Sequence, residues 1–286
     1  MRQIKQPGPA HADPIQWVEA RGESFSFMVE AGEPLLEAVR RGFAARGYES
    51  GVLNAAGGAL SPFAYVMPAL SETPDHAAFY SAVFRPDGIS RLSTAAMTFG
   101  RRDGEPFFHC HALWQEADGR RNGGHILPEG TIVAESFEVE ALGLDGAGFA
   151  AEPDAETGFK LFGPVPETAR GSAAGARVFA LRLRPNRDMA GLLEQFCRDR
   201  GIGRARLHGG VGSIIGARFD DGRTVEPFAT EMAVRAGRVE PGPGGGLEAT
   251  LDVALVDYTG GLAEGRLQRG DNPVLMTVEL VLEALG

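Results

Sequence analysis

The two halves of this chain repeat one order of elements, and an internal repeat constrains a fold more than any local propensity. In the first half the alternating segment SFSFMVEAG at 24–32 leads to an amphipathic stretch at 33–46. Gly47-Tyr48 follows, then a run through Val52, Leu53 and Asn54 to Gly57-Gly58. In the second half VFALRLRP at 178–185 leads to a similar stretch at 188–200, then to Gly201-Ile202 and a run through Arg206, Leu207 and His208 to Gly212. Asn54 and His208 take matching places. Both halves then close as a strand, a glycine-bearing turn and a final strand. This pattern predicts an α+β class: two tandem domains, each a mostly antiparallel sheet with one main helix. The 286 residues are enough for two cores of ordinary size. The boundaries read as a polar lead-in at 1–19, a first domain at 20–143, a linker at 144–175 rich in Gly, Ala, Pro and Glu, and a second domain at 176–286.

Chemistry concentrates in the first half. His109, His111 and His125 are three of only six histidines in the chain. In a strand, side chains alternate, so His109 and His111 leave one face about 7 Å apart while Cys110 joins Phe108, Ala112 and Trp114 on the apolar side. Gly123 and Gly124 let a returning backbone come close and bring His125 toward the pair. Three imidazoles with one position left open form the ligand set of catalytic zinc, and no sulfur shares that face. Ordinary hydrogen-bonded histidines on a polar strand are the alternative account. At the matching places the second half offers Asp252, Ala254 and Arg266, so only one copy keeps the constellation.

Composition narrows the partners. Acidic residues outnumber Lys and Arg by 38 to 28, for a net charge of −10, and this does not favour direct nucleic-acid binding. No apolar run reaches the length of a membrane span, and the first residues lack the apolar core of a signal peptide, so a cytoplasmic location is expected. Two cysteines allow no disulfide framework.

The residues His109, His111, Leu113 and Gly123-Gly124-His125, with the strand VAESFEVEAL behind them and the turn Gly57-Gly58-Ala59-Leu60 before them, resemble the PPC ("plants and prokaryotes conserved") domain. The resemblance covers about 20–143 and extends to the second half in outline. It implies an α+β sandwich-like unit that usually assembles as a trimer, hence a homo-oligomer. It also implies kinship with acetolactate decarboxylase, a zinc enzyme whose strand His-x-His and Gly-Gly-His bind its metal. That enzyme carries the motif in its later domain, whereas here it lies in the earlier one. Plant members bind DNA through an AT-hook with Arg-Gly-Arg-Pro, which this sequence lacks.

The expected function is therefore that of a zinc-binding protein with a small-molecule ligand, acting as a metal-dependent hydrolase or lyase on a small carboxylic or keto acid. The alternative is a non-catalytic regulatory or DNA-binding module. His109, His111 and His125 are the expected ligands. Asn54, Gly57, Gly58, Gly123 and Gly124 are expected to line the site. Glu135 is the candidate acid–base group, with Glu138 beside it, and Arg121, with Arg120, the candidate anion holder.

Overall fold

The chain was analysed as a computed structural model that describes residues 1–171 and 175–285; residues 172–174 of the expected linker and residue 286 lie outside the described residues. The first half runs β1 (Ile15–Val29), α1 (Leu35–Ala44), β2 (Gly51–Ala55), β3 (Ala59–Leu60), β4 (Ala64–Val66), β5 (Pro68–Ala69) and β6 (Phe79–Tyr80). It continues with β7 (Ser90–Arg102), β8 (Glu105–Gln115), β9 (Arg121–Leu127), β10 (Val133–Glu135) and β11 (Phe137–Asp145). After β12 (Ala147–Pro153) and β13 (Lys160–Pro166) come β14 (Ala176–Leu183), α2 (Met189–Asp199) and β15 (Ala205–Arg218). The chain ends with β16 (Thr224–Pro241), β17 (Leu247–Asp257), β18 (Leu262–Arg266) and β19 (Val274–Ala284).

The α+β class expected from the sequence is thereby corrected. The described residues form a nearly all-antiparallel β structure, with a 17-stranded sheet and helices of only 10 and 11 residues. The error has a physical origin in glycine. Stretches such as Gly209–Gly216 read as turns, yet β15 passes straight through them. Gly209 and Gly210 adopt positive φ, and the register against β19 shifts between His208 and Val211. Such a glycine bulge bends a strand without ending it.

One strand order occurs twice. In the first half β1 pairs with β11, β11 with β2, β2 with β7, β7 with β8 and β8 with β9. In the second half β14, β19, β15, β16, β17 and β18 follow one another in the same way. The two series meet where the first part of β1 pairs with β14, from Ile15 opposite Leu183 to Gly22 opposite Ala176. The segment 144–175, expected as a bare connection, carries the hairpin β12–β13. Its Phe149 and Phe162 are buried with Val52 and Leu142 of the first half and Val178 and Val281 of the second.

Each helix covers one face of its own series. In α1 the buried Leu35, Ala38, Val39 and Phe43 follow helical spacing and pack with Phe25, Phe99 and Cys110. In α2 the buried Leu192, Leu193, Phe196 and Cys197 do the same against Phe179, Leu251 and Val253, and Asp188 caps the helix by accepting from the Gly191 N–H at 2.8 Å. A buried charge cluster sits near the junction of the two series. The Asp154 carboxylate accepts from Arg182 at 2.8 Å and Arg184 at 3.1 Å, and its other oxygen accepts from the Thr157 N–H and hydroxyl, both at 2.9 Å.

Candidate metal centre

Alternation along β8 works as the sequence implies. Phe108, Cys110, Ala112 and Trp114 enter the first-half core, and burial pushes the Cys110 thiol up to about 12, leaving it an inert apolar group. His109 and His111 leave the opposite face, and His125 lies directly across from His111 on β9. The two glycines make that placement possible. A Cβ on Gly123 would fall 2.4 Å from the Leu113 side chain, and one on Gly124 would fall 2.5 Å from the Val66 carbonyl oxygen. The strand is thus held tightly between β8 and β4, where Val66 faces His125. Gly124→Ala should force β9 out of register at a cost of about 1–3 kcal/mol. A denaturation midpoint and a metal content that both match wild type would contradict this role for Gly124.

The imidazoles converge. One ring nitrogen from each of His109, His111 and His125 lies within 4.8 Å of the other two, and the Nε2 atoms of His109 and His111 are 3.1 Å apart. The groups that orient two of these rings come from the second half. His109 Nδ1 lies 2.6 Å from the Glu279 carboxylate, and His111 Nδ1 donates to the Met232 carbonyl at 3.0 Å. A hydrogen bond at Nδ1 leaves Nε2 bearing the lone pair, so both rings present Nε2 to the centre. His125 Nδ1 is buried without a hydrogen-bond partner among the described residues. Burial drives the pKa of both His111 and His125 well below the usual histidine range. Neutral imidazoles are the form a metal ion requires. The donor set and its orphaned nitrogen therefore fit a metal ion.

Across from the histidines stands Glu231 of β16, buried, its carboxyl pushed up to about 8 by desolvation. Its Oε2 has no hydrogen-bond partner among the described residues and lies 3.9 Å from His111 Nε2. The space between these groups is a cavity of about 50 Å³, walled also by Tyr80, Phe159, Ser213 and Thr277. Tyr80 packs its ring against His125 at 5.8 Å between centroids.

Other expected site residues lie elsewhere. Glu135 is exposed and held by Arg91 in a bidentate pair at 2.5 and 2.7 Å, so it cannot serve this centre. Arg121 pairs with Glu264 at the surface and the exposed Arg120 with the buried Glu116, while Glu138 accepts from Ser26 at 2.6 Å. Gly57 and Gly58 form a positive-φ turn in which Gly58 admits the Phe137 ring, a packing role. Asn54 ties the halves together, donating to the Val234 carbonyl at 3.1 Å and accepting from the Gly209 N–H at 3.0 Å. Glu231 and Glu279 were not singled out from the sequence. A signal exists, because each is a lone acid inside an apolar strand (ATEMAV and MTVELVL), and a buried carboxylate needs a partner.

Residues 170–286 match the Plants and Prokaryotes Conserved (PCC) domain. The match falls on the second half, where the sequence showed the resemblance only in outline. No curated protein matches the chain. Among solved structures the chain is similar to a PPC protein of Pyrococcus horikoshii, at 23% identity over 52% of this chain and 97% of that one, with a TM-score of 0.40. It is also similar to a metal-containing protein of Archaeoglobus fulgidus, at 20% identity over 51% of this chain and 96% of that one, with a TM-score of 0.40. A third, from Ralstonia eutropha and described as a candidate DNA-binding protein, shares 12% identity over 49% of this chain and 90% of that one, with a TM-score of 0.37.

Proposed function

We propose that this chain is a zinc protein built from two tandem PCC-type units, with its metal held by His109, His111 and His125. The observation that carries the reading is the division of labour at the centre: three converging imidazoles from one half, and the groups that orient two of them from the other. The repeated strand order supports the duplication. Zinc suits a site of three nitrogens with no sulfur nearby, and there it supplies Lewis-acid polarisation of a carbonyl or of water.

The chain's own groups suit proton transfer on a small carboxylic or keto acid. Glu231 holds beside His111 a carboxyl oxygen with no hydrogen bond among the described residues, placed to give or take a proton. Glu279 and the Met232 carbonyl keep the imidazoles from rotating, and Phe159 and Tyr80 limit entry of bulk water. The reaction class is hydrolysis or decarboxylation. In Glu231→Gln, zinc content should stay at the wild-type level while turnover of an ester or 2-keto-acid substrate falls by about 10²- to 10⁴-fold.

The cavity volume favours a second reading. About 50 Å³ admits little beyond an ion and one water, whose share of liquid volume is about 30 Å³. In this reading Glu231 closes the coordination shell and the module is regulatory rather than catalytic. Loss of zinc from Glu231→Gln, with no turnover by the zinc-loaded wild type, would select it. For DNA contact, a mobility shift with salt-sensitive duplex binding is the deciding measurement.

A further inference from the structure

The second half has a cradle of its own. Asp252 on β17 and Arg266 on β18, which stand where the first half carries its histidines, face each other across the strand pair. They open into a groove of about 840 Å³ between the halves, which shares no lining residue with the metal centre. Its volume lies in the range of small-molecule sites, about 300–1,000 Å³.

The groove's arginines are arranged in a way that protein contacts alone do not satisfy. Arg206 and Arg238 stand directly opposite one another on β15 and β16, and like charges in such a cross-strand pair repel. Arg238 has Glu240 at 2.8 Å. Arg206 has no carboxylate partner among the described residues. Glu283, its neighbour on the other side, is taken up by His208 Nε2 at 2.7 Å. Arg235 is fully engaged with Asp252 and Glu264, and Arg266 lies 3.5 Å from Asp220. The facing wall, from the first half, brings Ser24, Asn54 and the exposed Glu140.

We infer that this groove binds a small oxyanion-bearing ligand, a phosphate or carboxylate compound, between Arg206 and Arg238. An oxyanion placed there converts the repulsive pair into two charge-assisted hydrogen bonds, for which the guanidinium fork is suited. Glu140 on the opposite wall turns away long polyanions and sets the size limit.

Calorimetric titration of the zinc-loaded protein with inorganic phosphate, and separately with succinate, tests this and tells a phosphate ligand from a carboxylate one. Binding of either probe should weaken about 10- to 100-fold in Arg206→Gln and stay unchanged in Arg40→Gln, whose side chain is exposed on α1 far from the groove. Arg206 is also exposed, so its replacement leaves the fold intact. No binding of either probe at millimolar concentration would overturn the proposal. Binding that survives Arg206→Gln, as it would if the anion went to the metal, would also overturn it. So would duplex DNA binding more tightly than both probes through the same arginine.

Discussion

Wild-type protein should purify with about one zinc per chain, and the double variant His109→Ala, His111→Ala should carry almost none. Removing two of three ligands leaves one nitrogen, which cannot compete for the ion. The double variant has a side effect: it leaves the buried Glu279 with only the Thr277 hydroxyl as a partner and so weakens the fold as well as the site. His125→Ala separates the two effects. Its Nδ1 makes no hydrogen bond among the described residues, so the substitution removes a ligand without taking a hydrogen-bond partner from any of them. Both variants should lose zinc, whereas only the double variant should be much less stable than the metal-free wild type. In wild type, chelation should lower the midpoint of thermal unfolding, because an ion bound only to the folded state contributes about 4 kcal/mol at a thousandfold excess over its Kd. Equal and negligible zinc in all three proteins would remove the metal reading altogether.

The second large effect lies away from the centre. Asp154→Ala should cost about 3–5 kcal/mol, because it leaves Arg182 and Arg184 as buried charges without their shared carboxylate. It also removes the acceptor for Thr157. The pH dependence follows from the direction of the shift. Burial alone would raise the Asp154 pKa, but the charge of Arg182 and the bonds from Thr157 outweigh it and hold the carboxyl below its usual value. A group whose pKa is depressed on folding stabilises the fold above its unfolded pKa, near 4, and loses that contribution as pH falls through the folded value. The gap in stability between wild type and Asp154→Asn should therefore be widest near neutrality and close in acid. Urea midpoints measured at several pH values check this, and a gap that widens on acidification would refute it.

The local geometry of the centre was legible in the sequence because it depends on local rules. Period-two alternation put His109 and His111 on one side of β8 and Cys110 on the other, and Gly123-Gly124 announced a close strand approach. The stretches 33–46 and 188–200 bracket α1 and α2 for a similar reason, since their apolar spacing is helical. What stayed hidden depends on distant pairing. Glu231 and Glu279 lie more than a hundred residues beyond the histidines and reach them only through the packing of β16 and β19 on the face of β8. The nearer carboxylate, Glu135, drew attention by proximity in sequence and is tied up by Arg91. The strands β12, β13 and β15 were missed because segments buried on both faces show no alternation and, when rich in Gly and Ala, resemble connections.

The shared construction of the centre would make a metal held there, as proposed, a gauge of how the halves sit together. A shift of the second half by a few tenths of an ångström lengthens the contacts of Glu279 and the Met232 carbonyl with the imidazoles, loosens the tautomers they impose and weakens the grip on the ion. Any ligand or substitution that tilts one half against the other will then be read out as a change in metal affinity, even if it binds nowhere near the histidines.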